Sequence, residues 1–171
     1  MSLVIRSAEP GDRHILELLL AALMREHQAA FPAAYPRFRP DEAAAHFAAG
    51  YAPRLGTDPS MVAVLAGDRA PVGLLVGEVV ARVVGRPATV GFVEWFYVTP
   101  DARGQGIGRR IIRAALALVW PLGVTHIEVA AAPGDTQWHR RGWRETARRY
   151  VAPVEHVDAW VGLEDTAHDS R

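Results

Sequence analysis

The stretch "FYVTPDARGQGIGRR", residues 96–110, decides how the rest of the chain is read. An apolar, strand-like run stops at Thr99-Pro100. Gly104, Gly106 and Gly108 follow, flanked by Arg103, Arg109 and Arg110, and a helix-like pattern starts at once. Glycine lets backbone N–H groups approach a ligand that a Cβ would hold off. A helix N-terminus leaves N–H donors unpaired and carries partial positive charge. Together these make an anion site, and a phosphate site above all. Hydrogen bonds to charged groups contribute about 1.5–3 kcal/mol each. Three or four N–H groups on a pyrophosphate would thus supply much of a micromolar affinity.

The spacing narrows the ligand. A Walker loop requires G-x-x-x-x-G-K-[ST], and the chain contains no lysine. A dinucleotide fingerprint requires G-x-G-x-x-G, but the position after Gly104-x-Gly106-x-x is Arg109. What stands is Arg103-x-x-Gly106-x-Gly108, between a strand and a helix.

Working outward, the helix is predicted from Gly108 to about Trp120, with Ile111, Ile112, Ala115, Leu116 and Val119 as its buried stripe. Upstream, "MVAVLA" (61–66), "VGLLVGEVVARVV" (72–84) and "TVGFVEWFYV" (89–98) read as three strands joined by short turns, hence an antiparallel meander. A strand at 3–8, a helix from Arg13 to about Gln28 and a helix at 41–49 precede them. A strand at 124–130, a short helix at 136–141 and strands at 143–151 and 157–163 follow. The expected fold class is α/β (α+β): a mixed, mostly antiparallel sheet of six to seven strands flanked by about four helices. One domain is expected over 3–164, with a loose tail at 165–171.

Composition removes other chemistries. The 171 residues suit one domain. Half are hydrophobic, and Lys+Arg and Asp+Glu balance at 19 each, so nothing points to nucleic acid or an anionic membrane. All basic residues are arginine, which excludes Schiff-base lysine chemistry, and there is no cysteine for a disulfide, a thiol nucleophile or a cysteine metal site. The seven histidines show no metal-ligand spacing, so no metal is expected. "MSLVIRSAEPGDRH" lacks a signal-peptide apolar region and "LLLAALM" (18–24) is too short to span a bilayer, so a cytoplasmic location is expected.

The segment "VEWFYVTPDARGQGIGRRIIRAAL" resembles the GNAT superfamily of acyl-CoA-dependent N-acetyltransferases. Its hallmark is [Q/R]-x-x-G-x-[G/A] between a strand and a helix, and the element order fits over nearly all of residues 3–164. The resemblance implies acetyl-CoA as co-substrate. Backbone groups of Phe96, Tyr97 and Val98 would pair with the pantetheine arm. Arg103 and the N–H groups of Gly104, Gln105, Gly106, Ile107, Gly108 and Arg109 would hold the pyrophosphate. Glu94, on the strand just before them, would be the general base for an amine. An alkylammonium is neutral in only about one molecule in a thousand at neutral pH, so a base is useful. Strand alternation sets Glu94 and Phe96 on one face and Trp95 and Tyr97 on the other. Glu78 and Glu128 rank below Glu94.

One departure from the family concerns thiolate protonation. Many members carry a tyrosine acid in a "FYxxxGF" segment, where this chain has "QWHRRGW" (137–143). Trp138 stands at the tyrosine position, as a cofactor contact that cannot supply a proton. His139 beside it is a candidate general acid, and Tyr97, Tyr150 and Tyr35 are others. The loop asparagine usual in the family is also missing, since "AAAPGDT" stands there.

The expected activity is direct acetyl transfer to a primary amine of a small molecule. The alternatives are a non-catalytic acyl-CoA-binding sensor or scaffold, and acetylation of protein or peptide amines. The aromatics Phe31, Tyr35, Phe38, Phe47 and Tyr51 are candidates for a substrate wall, with core packing at least as good an account. A homodimer through late strands is also implied by the resemblance, with "VDAWVGLE" (157–164) as the candidate edge.

Overall fold

The computed structural model describes residues 3–32, 37–67, 70–82 and 88–129. Within them the chain runs β1 (Ile5–Ser7), α1 (Arg13–Ala30), α2 (Pro40–Tyr51), β2 (Met61–Ala66), β3 (Gly73–Arg82), β4 (Ala88–Val98), α3 (Ile107–Val119) and β5 (His126–Val129). One sheet takes these five strands in chain order. The first four pair antiparallel, and β5 pairs with β4 in parallel, Val90 opposite His126 through Val93 opposite Val129. A parallel neighbour needs a crossover, and α3 is that crossover.

Alternation along the strands builds two cores. Ala63, Leu65, Leu74, Val76 and Tyr97 face α1 and α2, where Leu16, Leu19, Leu20, Ala44 and Ala48 meet them. Val62, Val64, Ala66 and Leu75 face α3 and its stripe Ile107, Ile111, Ala115 and Val119. The result is three layers, helix on sheet on helix. Helix α3 lies close because β3 offers it a glycine: a Cβ on Gly73 would stand 2.7 Å from Ile111 Cδ1. Within the predicted stripe Ile112 is half-buried and Leu116 is 39% exposed, so α3 buries a narrower face than its apolar residues suggest.

The expected elements are present within the described residues, and α2 is longer than predicted at both ends, running from Pro40 to Tyr51. Pro40 at the first helical position lacks only a donor that would go unpaired there. The predicted helix at 136–141, the strands at 143–151 and 157–163, and the tail lie outside the described residues, which hold five strands and three α-helices. Among the described residues no helix is long and apolar enough to cross a membrane, and no three His, Cys, Asp or Glu side chains group to hold a metal.

Candidate active site at the β4–α3 junction

Strand β4 carries a bulge. Its register against β3 runs from Val98 opposite Gly73 to Trp95 opposite Val76, then slips, so that Gly77 faces Val93 and Glu94 is the extra residue. A bulge bends the strand and re-aims the side chain at the slip. Gly77 permits it: a Cβ there would stand 2.3 Å from the Phe92 carbonyl oxygen. The faces follow. Trp95 and Tyr97 pack with the α1–α2 core, while Val93, Phe96 and Val98 pack with the α3 core. Val93 and Phe96 share a face although three residues apart, so the expected alternation breaks at Glu94. The Glu94 charge acts on the Tyr51 hydroxyl, as does that of Glu78.

Tyr51 ends α2 beneath the bulge. Its hydroxyl reaches the carbonyl oxygens of Gly77 at 2.5 Å and Val62 at 3.0 Å. Burial pushes this phenol well above its ordinary range. Its ring stacks on Phe47, which meets Trp95 edge-on. Trp95 Nε1 is buried with no hydrogen-bond partner among the described residues. Tyr51, Phe47 and Phe38 thus pack with the core rather than form an exposed wall. Phe31 meets His27, their ring centroids 5.1 Å apart, and Tyr35 lies outside the described residues.

Beyond Val98 the chain makes a 3-10 turn at Pro100–Ala102 and enters the glycine turn. Gly104 and Gly106 both have φ of +77°, and a Cβ on either would meet nothing within 4 Å. They are glycines for backbone shape, and the space above them is clear. Gly106 caps α3 without a side-chain cap, and the Arg110 N–H bonds back to the Gly106 carbonyl at 3.2 Å. The N–H groups of Ile107, Gly108 and Arg109 precede the first intrahelical donor. Gly108 has a second role: a Cβ there would stand 3.0 Å from Phe96 Cζ, so the helix start rests on β4. Gln105 Nε2 donates to the Asp101 carbonyl at 3.0 Å and closes the turn.

The arginines divide their work. Arg103 donates through Nε to the Val98 carbonyl at 2.9 Å, and its guanidinium grips both Glu26 carboxylate oxygens at 2.7 and 2.8 Å. It also lies over the Tyr97 ring, 5.7 Å from the centroid. Arg110 reaches the Leu3 carbonyl at 2.7 Å. Arg109 is exposed and has no ion-pair partner among the described residues. Tyr97 is 6% exposed, and its hydroxyl is pushed up by burial and then by the Glu26 charge. The Thr99 N–H bonds the Val72 carbonyl, so by two-residue alternation Tyr97 turns its backbone groups to β3, and Phe96 and Val98 turn theirs to the β5 side. His139, Trp138 and Tyr150 lie outside the described residues.

The model of the acetyltransferase (GNAT) family matches residues 20–143, which contain the bulge, the glycine turn and α3. The chain belongs to the GNAT acetyltransferase family. Solved structures share the fold. An aminoglycoside N-acetyltransferase in complex with CoA is 18% identical at a TM-score of 0.64, covering 89% of this chain and 94% of that one. Glucosamine-6-phosphate N-acetyltransferase from Arabidopsis thaliana is 11% identical at 0.65, covering 90% and 99%. An aminoglycoside acetyltransferase from an uncultured soil metagenomic sample is 20% identical at 0.64, covering 90% and 99%. No curated protein sequence matches the chain.

Signals for part of this site were present in the sequence. Nothing in the sequence points to Glu26 as the partner of Arg103, or to the Tyr51 hydroxyl as a clamp on the strands, because their partners lie 77 and 26 positions away. Gly77, a glycine in the middle of a strand, is the available sign of the bulge.

Proposed function

We propose that this GNAT protein transfers the acetyl group of acetyl-CoA directly to a primary amine of a small molecule, with Glu94 as general base. One observation carries the reading: the bulge at Glu94 and the left-handed glycine turn are the two ends of one short path along β4. The donor supplies a thioester, and the chain supplies everything else. The clear space above Gly104 and Gly106 and the N–H groups leading into α3 suit the pyrophosphate. The Phe96 backbone groups and the Val98 N–H, on the β5 side, suit the pantetheine arm, while the Val98 carbonyl accepts from Arg103. Arg103 holds the Val98 end of β4 to α1.

Glu94 takes a proton from the ammonium or from the attacking amine, which contributes about 10²–10⁴-fold when geometry is right. A backbone N–H near the bulge would stabilise the oxyanion. The buried Tyr97 hydroxyl, raised beside Glu26, is poorly disposed to protonate the thiolate. That leaves solvent or a residue such as His139 for the role. A thiol with pKa near 8.5 leaves moderately well unaided. A small acceptor is favoured by the acceptors named for the similar structures, aminoglycosides and glucosamine 6-phosphate, both small amines.

The test is thiol release from acetyl-CoA, read with a thiol-reactive dye, across polyamines, amino acids, aminoglycosides, aryl amines and lysine peptides. The protein has no cysteine, so it adds no background. Amine-dependent release establishes the enzyme. Acetyl-CoA binding without release from any amine favours a binding module instead. A Glu94→Gln protein that keeps wild-type turnover between about pH 6 and pH 9 removes Glu94 from its role.

A further inference from the structure

Between α3 and the sheet lies an apolar cavity of about 210 Å³. Ile112, Ala115 and Leu116 line it from the helix, and Val93, Phe96 and Val129 from β4 and β5. It sits where β4–β5 pairing ends among the described residues, at Val93 opposite Val129, next to the bulge. Phe96 belongs both to its wall and to the segment assigned above to the pantetheine arm. Among the described residues Glu78 is the one ionisable side chain on its wall.

The space is open on one side rather than sealed within the core, so a chain can enter it. Its volume exceeds the roughly 150 Å³ of an engineered apolar cavity that stays dry and admits a benzene ring. It therefore has room for about six carbon atoms. An acetyl methyl group would leave most of it unfilled.

We propose that this cavity is an acyl-chain pocket, and that the donors extend beyond acetyl-CoA to linear, uncharged acyl-CoAs of up to about six carbons. The inference rests on the acyl-CoA reading of the site. The occupant is the acyl chain of the donor because Val93 and Phe96, on either side of the bulge in β4, line the cavity, and because its described wall has no cation for a carboxylated chain. The chemistry is unchanged by chain length. The amine nitrogen bonds to the thioester carbonyl carbon and the carbon–sulfur bond breaks. The thiolate leaves with the electron pair, and the proton lost by nitrogen ends on it. The products are an amide and free CoA.

The experiment is equilibrium binding of acetyl-, butyryl-, hexanoyl- and succinyl-CoA to the whole protein by titration calorimetry, repeated on Ala115→Leu. Each buried methylene is worth about fourfold in affinity. Hexanoyl-CoA is expected to bind at least about tenfold tighter than acetyl-CoA. Succinyl-CoA should bind no better than acetyl-CoA, and Ala115→Leu should collapse the hexanoyl preference. If Ala115→Leu does not fold, Leu116→Phe, at a residue already 39% exposed, gives the same readout. Hexanoyl-CoA binding no tighter than acetyl-CoA overturns the pocket and leaves the acetyltransferase reading standing. An Ala115→Leu protein that weakens all donors equally also overturns it, since the cavity would then serve a part common to all of them. Tight hexanoyl-CoA binding without turnover of any amine upholds the pocket and removes the enzyme. No binding of any acyl-CoA removes the donor reading and the inference with it.

Discussion

The Tyr51 hydroxyl stands 2.5 Å from the carbonyl oxygen of Gly77, the residue across from the β4 bulge. The last residue of α2 therefore holds the strand pairing at the point where Glu94 is displaced from register. The bulge is supported from one side by this phenol and from the other by the missing Gly77 side chain.

Tyr51→Phe keeps the ring and its stack on Phe47 and removes only the oxygen. The hydroxyl's one hydrogen is shared between two carbonyls that keep each other's strand as a ladder partner, so its loss costs about 0.5–1.5 kcal/mol of stability. If Glu94 is the base, as proposed, the catalytic effect expected is a fall in kcat with KM for acetyl-CoA nearly unchanged, because the bulge would then position the base and not the donor. Parallel changes in kcat and KM, seen in steady-state kinetics, would count against this role.

The same hydroxyl predicts a response to alkali. Burial raises its folded-state pKa above the unfolded value of about 10. The unfolded chain then releases this proton first, so stability is fully present below about pH 10 and falls as pH rises further. Tyr97 shifts in the same direction. Thermal melts across this range should decline less steeply for Tyr51→Phe than for the wild type. Identical slopes would show that the phenol is not responsible.

Glu26→Gln tests the clamp on Arg103. Both side chains are 46% exposed, so the pair contributes at most about 1 kcal/mol to stability. Its weight falls instead on the turn that Arg103 ties to Val98. The expected result is a KM for acetyl-CoA raised about two- to fivefold with the melting temperature almost unmoved. An unchanged KM would make the ion pair a surface feature only.

Gly106 separates shape from space. Alanine there meets no neighbour but must adopt φ of +77°, at a cost of about 1–2 kcal/mol. Asparagine tolerates that conformation better than alanine. Gly106→Ala should therefore weaken acetyl-CoA binding and lower the melting temperature more than Gly106→Asn, as calorimetry and thermal melts would report. The reverse order would point to side-chain bulk above the turn.

The sequence carried the central unit well because its signals are local. Thr99-Pro100 stops a strand, glycines at alternate positions mark a backbone that L side chains resist, and α3 shows its stripe. Alternation also set Trp95 and Tyr97 against Phe96 correctly. The bulge was hard to read because one extra residue leaves no pattern of its own in β4; Gly77 hints at it from the neighbouring strand, and the cross-strand register places it. Arg103 reads as a phosphate-binding residue because charge beside glycine suggests an anion, and its carboxylate partner Glu26, which comes from α1, leaves no local sign in the sequence. Tyr51 read as a candidate wall because an aromatic in an Ala- and Pro-rich segment does not reveal whether its hydroxyl meets solvent or buried carbonyls.

The Arg103–Glu26 pair also bears on how a polyanion would reach this protein. Three arginines near one helix start suggest strong long-range attraction. Glu26 cancels one of them, and Arg110 keeps its charge but directs its guanidinium to the Leu3 carbonyl. Two charges remain of three, and salt screens them beyond a Debye length of about 8 Å at physiological ionic strength. The site is therefore built to capture at contact rather than to draw from a distance. Its association rate should depend only shallowly on ionic strength, with discrimination residing in the dissociation rate.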